Sequence, residues 1–169
     1  MIMTTVNHDA TQHDAAYILS SNVMGEVLMP PEALMRFPTP LFGLPDQREY
    51  ALLPAARAGL WWLQSMTDPG LTFLLADPFV IDESFGVDLG DAERAALHIE
   101  TPLDAFALVM VTLPDGENDS ATANFRAPLV FNLAEQVGMQ VVARDEGYSL
   151  RRPIEIALFP PQTDGLRMQ

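Results

Sequence analysis

Proline and glycine punctuate this chain so often that long helices have no room between them. The marks fall at Met29-Pro30-Pro31, Phe37-Pro38-Thr39-Pro40, Gly43-Leu44-Pro45, Asp68-Pro69-Gly70, Asp77-Pro78, Pro114-Asp115-Gly116 and Phe159-Pro160-Pro161. Proline removes a backbone donor and fixes φ, so it ends helices and stays out of central strands. What remains between the marks is strand-length and rich in aliphatic and aromatic residues: Val23–Met29, Tyr50–Leu53, Leu60–Met66, Leu71–Ala76, Phe106–Leu113, Ala123–Arg126, Leu129–Asn132 and Met139–Ala143. Many short strands with turn signals between them predict an all-β fold, a small antiparallel barrel-like domain. One short helix is expected at Ala92–His98, with Asp91 as its N-cap after Gly90.

Two hairpins have visible turns. Tyr17-Ile18-Leu19 and Val23–Met29 flank Ser20-Ser21-Asn22, and Leu60–Met66 and Leu71–Ala76 flank Thr67-Asp68-Pro69-Gly70. In the second, Asp68 starts the turn, Pro69 sets φ and Gly70 can take a positive φ. Phe106–Leu113 is apolar on both faces apart from Thr112, as a strand covered on both sides would be. No repeat and no shift in composition divides the chain. The expected organisation is an N-terminal segment 1–16 and a C-terminal tail 159–169, both flexible, around one β domain at 17–158.

Charge narrows the partners. Of 169 residues 23 are acidic and nine basic, all of these arginine, for a net charge of −14. Binding to a phosphate backbone requires cations, so direct nucleic-acid binding is excluded. The absence of cysteine removes disulfides, thiol nucleophiles and Cys-based zinc sites. The first 15 residues carry neither a cationic start nor an apolar run, and the most apolar stretches are too short to span a bilayer. A cytoplasmic protein with no membrane contact is expected.

Chemistry-bearing motifs are missing: no G-x-S-x-G, H-E-x-x-H, phosphate loop or dinucleotide fingerprint occurs. His8-Asp9 and His13-Asp14 lie in a polar terminal segment with nothing to hold a metal, and His98 falls at the end of the expected helix. No catalytic residue, metal or cofactor is expected. The densest acidic group is Asp77, Asp82, Glu83, Asp88, Asp91 and Glu93, interleaved with Phe79, Val80, Ile81, Phe85 and Val87. It reads either as a solvated edge or as a partner-facing surface. On the second reading Phe79, Asp82, Glu83, Asp88, Asp91 and Glu93 are the partner-binding candidates. Trp61 and Trp62 point to opposite faces of their strand, so one belongs in the core, with Trp62 taken as structural.

Taken in order, a longer pattern stands out. Phe37-Pro38, Leu41-x-Gly43 and Leu52-Leu53-Pro54 precede Trp62-Leu63-Gln64-Ser65, Asp68-Pro69-x-Leu71-x-Phe73 and Asp77-Pro78-Phe79. Thr122-Ala123-Asn124-Phe125-x-Ala127-Pro128-Leu129-Val130-x-Asn132, Gln140-Val141-Val142 and Tyr148-Ser149-x-Arg151-x-Pro153 follow. From about Val23 to Ile156 this ladder resembles the FliW flagellar assembly factors. It departs from them in the Phe37–Asp46 loop, where Pro40 replaces a glycine and Phe42 a proline, and at Arg151-Arg152, where an Arg-His pair is usual.

The resemblance implies a barrel-like, non-enzymatic protein that binds flagellin and antagonises CsrA, a dimeric RNA-binding translational repressor. Exposed anchors for a flagellin helix are sought at Phe42, Phe79 and Phe85. The competing reading is a small β-barrel ligand carrier or flavin-type enzyme, for which Arg151-Arg152 is the one adjacent basic pair.

Overall fold

A computed structural model describes residues 16–116 and 120–162. The chain forms β1 (Tyr17–Ser21), β2 (Gly25–Met29), β3 (Leu34–Arg36), β4 (Glu49–Pro54), β5 (Leu60–Ser65) and β6 (Thr72–Ala76). Helices α1 (Pro78–Ile81) and α2 (Asp91–Ala96) follow, then β7 (Phe106–Thr112), β8 (Ala121–Asn132), β9 (Val137–Gln140) and β10 (Arg152–Ile154). Strands β3 to β8 are joined in sequence order as antiparallel neighbours. β9 pairs antiparallel with β8 and parallel with β3, which closes a seven-stranded barrel. The all-β barrel expectation holds, with a second short helix beside the expected one.

Alternation along the strands sorts the side chains into an interior and an outer face. Met35, Tyr50, Leu52, Leu63, Leu75, Leu108, Leu129 and Phe131 of β3 to β8, with Phe37 just past β3, form one buried cluster. Gly138 on β9 is the glycine this interior requires. A Cβ there would stand 2.8 Å from the Phe131 ring and 2.9 Å from Phe37.

Three clusters cover the outer face. The β1–β2 hairpin lays Leu19 and Met29 on Ala51 and Leu53. Phe85 and Phe159 pack on Leu60, Leu74, Val109 and Phe125. The end of α2 sets Leu97 and Ile99 on Val130, Val137, Met139 and Val141. β7 is covered on both sides as expected, Leu108 facing inward and Val109 outward, both fully buried.

Several local expectations need correction. The first hairpin turns at Asn22-Val23-Met24, because Ser20 and Ser21 remain in β1 and the Ser21 hydroxyl accepts from the amides of Val23 and Met24. At the second hairpin the Leu71 amide closes on the Asp68 carbonyl, and the Asp68 carboxylate accepts from the Gly70 amide. Gly70 is not among the positive-φ residues; Gly59, at φ 86, is, and a Cβ there would meet the Phe159 ring at 3.0 Å.

The two segments expected at Ala123–Arg126 and Leu129–Asn132 are one strand. Its ladder with β7 skips from Asn124 to Leu129, and Pro128 sits in that irregularity, where it needs no N–H. The Pro128 carbonyl still accepts from Val141.

Asp91 is the first helical residue of α2 rather than its N-cap; Gly90 takes that place, and its amide donates to the Glu93 carboxylate at 2.8 Å. Neither tryptophan is a buried core residue. Trp61 is half-buried against the interior cluster with its ring on Phe106, and Trp62 is half-buried against the outer one.

At the C-terminal end the chain continues along the barrel past Leu158. Phe159 is fully buried, its carbonyl accepts from Arg57, and Pro160 and Gln162 bond to Ala58 and Ala56. The N-terminal segment up to Ala15, with His8 and His13, and the tail from Thr163 lie outside the described residues.

Candidate protein-binding surface

The segment from the end of β6 through α2 carries the six partner-binding candidates named from the sequence, and it folds over the barrel on an aromatic keel. Asp77 caps α1 by accepting from the Phe79 amide at 2.9 Å, and Pro78 supplies the first helical residue. Phe85 descends into the outer core, edge-on to Phe125 and stacked on Tyr148, each at 5.5 Å between centroids. Tyr148 fixes the returning backbone, its hydroxyl accepting from the Gly86 amide at 2.9 Å. Phe79 stands edge-on to Phe85 at 5.4 Å and remains 50% exposed.

The acidic residues divide into two kinds. Asp82 is committed inside the molecule. It accepts from the Ser84 amide and hydroxyl and pairs with the Arg152 guanidinium at 2.7 Å. The bond from the Ser84 hydroxyl, and then that from Arg152, hold its carboxyl down to about 2. Arg152 in turn lies 4.9 Å over the Phe125 ring. Glu93 closes the start of α2 on Gly90, and Asp91 pairs with Arg94 one turn along. Glu83 and Asp88 are exposed and make no side-chain hydrogen bond or ion pair among the described residues.

Past α2 the chain turns through His98, exposed at φ 55. His98 and Ile99 donate their amides to the carbonyls of Ala95 and Arg94, the pairing that satisfies a helix end through a left-handed residue. His98 thus serves backbone geometry. Asn132 secures this end to the barrel by donating to the Leu97 and His98 carbonyls. Beyond it, the Asp104 carboxylate accepts from the amides of Thr101 and Glu100, which lowers its pKa.

These walls enclose an open groove of about 390 Å³ lined by Phe79, Phe85, Val87, Asp88, Ile99 and Glu100, among others. Of the six nominated residues, the groove gathers Phe79 and Asp88. Glu100, its other free carboxylate, was missed by sequence reading; it lies past the helix, outside the dense acidic run.

A second groove, of about 590 Å³, lies where the β1–β2 hairpin meets the barrel. Its lining includes Met24, Leu28, Pro54, Trp61 and Leu133, with Glu32 its one charged side chain. Leu28 is 69% exposed and pairs across the hairpin with exposed Ile18, an apolar pair on the outer face that alternation along β2 could have flagged. Phe42 is exposed in its loop, whereas Phe85 is a core residue.

Arg151 and Arg152 do not act as a pair. Arg152 is held by Asp82 and Phe125, while the Arg151 amide donates to the Ser149 hydroxyl. Among the described residues no cluster of three or more His, Asp or Glu could hold a metal, and no helix is long and apolar enough to cross a membrane. Both grooves have largely apolar linings; the first adds Asp88, Arg94 and Glu100, the second Glu32 alone.

Comparison with known proteins agrees with the ladder of motifs. A family model described as FliW protein matches residues 18–154. The flagellar assembly factor FliW of Moorella thermoacetica is 32% identical over 131 residues, 77% of this chain and 83% of that protein. That of Syntrophotalea carbinolica is 35% identical over 131 residues, 77% of this chain and 92% of that one. A solved structure described as the crystal structure of the flagellar assembly factor FliW superposes with a TM-score of 0.74 at 26% identity, covering 87% of this chain and 100% of that one.

Proposed function

The chain belongs to the FliW family, and from that premise we propose that it serves flagellar assembly by binding proteins, without catalysis. It binds flagellin in the cytoplasm before export. When flagellin is exported, the freed chain captures a CsrA-type repressor and relieves translational repression. Flagellin level is thereby coupled to flagellin synthesis.

The observation that carries this reading is the extent of the match. The family model spans 18–154, and the solved relative is covered from end to end, so the whole barrel and its outer cover are shared rather than one motif. Electrostatics supports the second partner. A net charge of −14 speeds encounter with a basic RNA-binding protein and repels the RNA that competes for it.

An RNA mobility shift tests the cycle. Repressor bound to its RNA should be released by an excess of this chain, and flagellin added next should restore the repressor–RNA complex. If the repressor's RNA affinity is unchanged in a large excess of the chain, the proposal is wrong.

A further inference from the structure

We infer that the groove between α1 and the end of α2 docks a short cationic segment of a protein partner, one that carries a single large apolar side chain between its Lys or Arg residues. This deepens the protein-binding reading above and rests on it. The groove combines an apolar floor with a rim that keeps charge available. Phe85, Val87, Ile99 and Val130 line the floor, and Phe79, half-exposed, lies beside it.

Most acidic residues here are used by the fold itself: Asp77 on α1, Asp82 on Ser84 and Arg152, Glu93 on Gly90, and Asp104 on Thr101 and Glu100. Glu83, Asp88 and Glu100 are left without such partners among the described residues, and two of them line the groove. Arg94 also lines the groove, but its guanidinium is paired with Asp91, and Arg144 lies against Gly90 at the α2 start, so Asp88 and Glu100 are the unpaired charges of the lining among the described residues.

Charge decides the occupant. Rim carboxylates flanking an apolar floor favour an apolar anchor flanked by cations and disfavour a second copy of this acidic chain. The other groove has one carboxylate, Glu32, on an otherwise apolar lining, so it offers no comparable selection. Preorganisation favours the first groove as well, because its walls are tied down by the Tyr148, Glu93 and Asp104 hydrogen bonds and need no ordering on binding.

The test is an amide-shift titration of the full chain with three blocked pentapeptides: Lys-Arg-Leu-Arg-Lys, the same with Ser for Leu, and Glu-Asp-Leu-Asp-Glu. The first should give saturable shifts centred on Gly86–Gly90 and Glu100–Ala105. Replacing Leu by Ser should weaken binding about tenfold, the scale of one lost apolar anchor, and the acidic peptide should produce no shifts there. Phe79→Ala should mimic the loss of the anchor. Asp88→Asn with Glu100→Gln, which leaves the apolar floor intact, should weaken binding and flatten its salt dependence.

Shifts spread over the acidic surface without a centre in the groove overturn the inference, as does wild-type affinity in both variants. The same variants titrated with a purified CsrA-type dimer separate the two readings. Repressor capture that survives both variants overturns the groove and leaves the proposed function standing. Peptide binding in the groove by a chain that ignores the repressor supports the groove and overturns that function.

Discussion

Replacing Tyr50 by Phe should stabilise this protein. Tyr50 sits on β4 inside the barrel, fully buried, with its ring edge-on to Phe37 at 5.1 Å and tilted on Phe73 at 6.4 Å. Its hydroxyl has no hydrogen-bond partner among the described residues, and burial pushes its pKa up to about 12. Leaving such a group unsatisfied costs about 1–3 kcal/mol of desolvation. Phe keeps the ring contacts and removes that cost. Against this stands the small void left by one oxygen, on the order of 15 Å³, which at about 24 cal/mol per Å³ forfeits roughly 0.4 kcal/mol.

The net gain should be about 1–2 kcal/mol, or a rise in Tm of about 2–4 °C for each kcal/mol in a chain of this size. Urea unfolding of the two proteins at neutral pH measures it directly. The pH dependence supplies a second signature. A tyrosine whose folded pKa lies above its unfolded value near 10 favours the protonated fold, so its contribution is complete below about pH 10 and is lost as pH rises toward 12. Tyr50→Phe should be flatter across that window. A variant about 1 kcal/mol less stable than wild type would refute the reasoning, because it would mean that the hydroxyl is hydrogen-bonded in the folded protein.

Two further perturbations probe the fold. Gly138→Ala forces a methyl group against the Phe131 ring at 2.8 Å and Phe37 at 2.9 Å, and should cost about 1–3 kcal/mol in urea unfolding; an unchanged midpoint would mean that the interior has slack there. Asp82, with its folded pKa held down to about 2, contributes stability that is present above about pH 4 and lost as pH falls toward 2, so acid titrations should show Asp82→Asn lacking that part of the slope. Equal slopes for the two proteins would mean that neither the Ser84 bonds nor the pair with Arg152 persists in solution.

The barrel was legible because proline spacing and alternation act locally. Strands β4 to β7 fall within a residue or two of where the pattern places them. Pieces that depend on distant partners were not legible. β3 and β10 are three residues each and exist only through their neighbours, Tyr50 beside Met35 and Ala123 beside Arg152. β8 read as two strands because Pro128 interrupts the pattern, while the ladder with β7 passes around it. Phe159 read as tail because the two prolines after it signal an ending, yet its ring fills a gap beside Gly59 that no local pattern encodes. The acidic group was visible as composition, but which carboxylates are free depends on Ser84, Arg152 and Gly90, whose roles only folding reveals.

The residues that carry the family resemblance are the ones that hold the barrel together. Ser65 receives the amides of Thr67 and Asp68, and Gln64 donates to the Asp68 carbonyl, so the Gln-Ser…Asp-Pro run is the structure of one turn. Asp77 caps α1, Asn124 accepts from Ala127 across the β8 irregularity, and Gln140 joins the Ala127 carbonyl to the Phe42 amide. Asn132 anchors α2. Apart from the exposed Asp77 cap, each satisfies backbone that is at least partly buried at a bend, where an unpaired donor or acceptor would cost more than the bond itself contributes. A pattern built from such residues identifies the fold strongly and says little about where a partner sits. Phe79 is the exception: it closes the Asp-Pro-Phe motif, yet half of its surface remains open to solvent. Asp77 and Pro78 explain their own places in that motif by capping and starting α1. Phe79 is not explained in the same way. Its edge-on contact with Phe85 leaves half of the side chain in solvent beside the groove proposed above as a docking site.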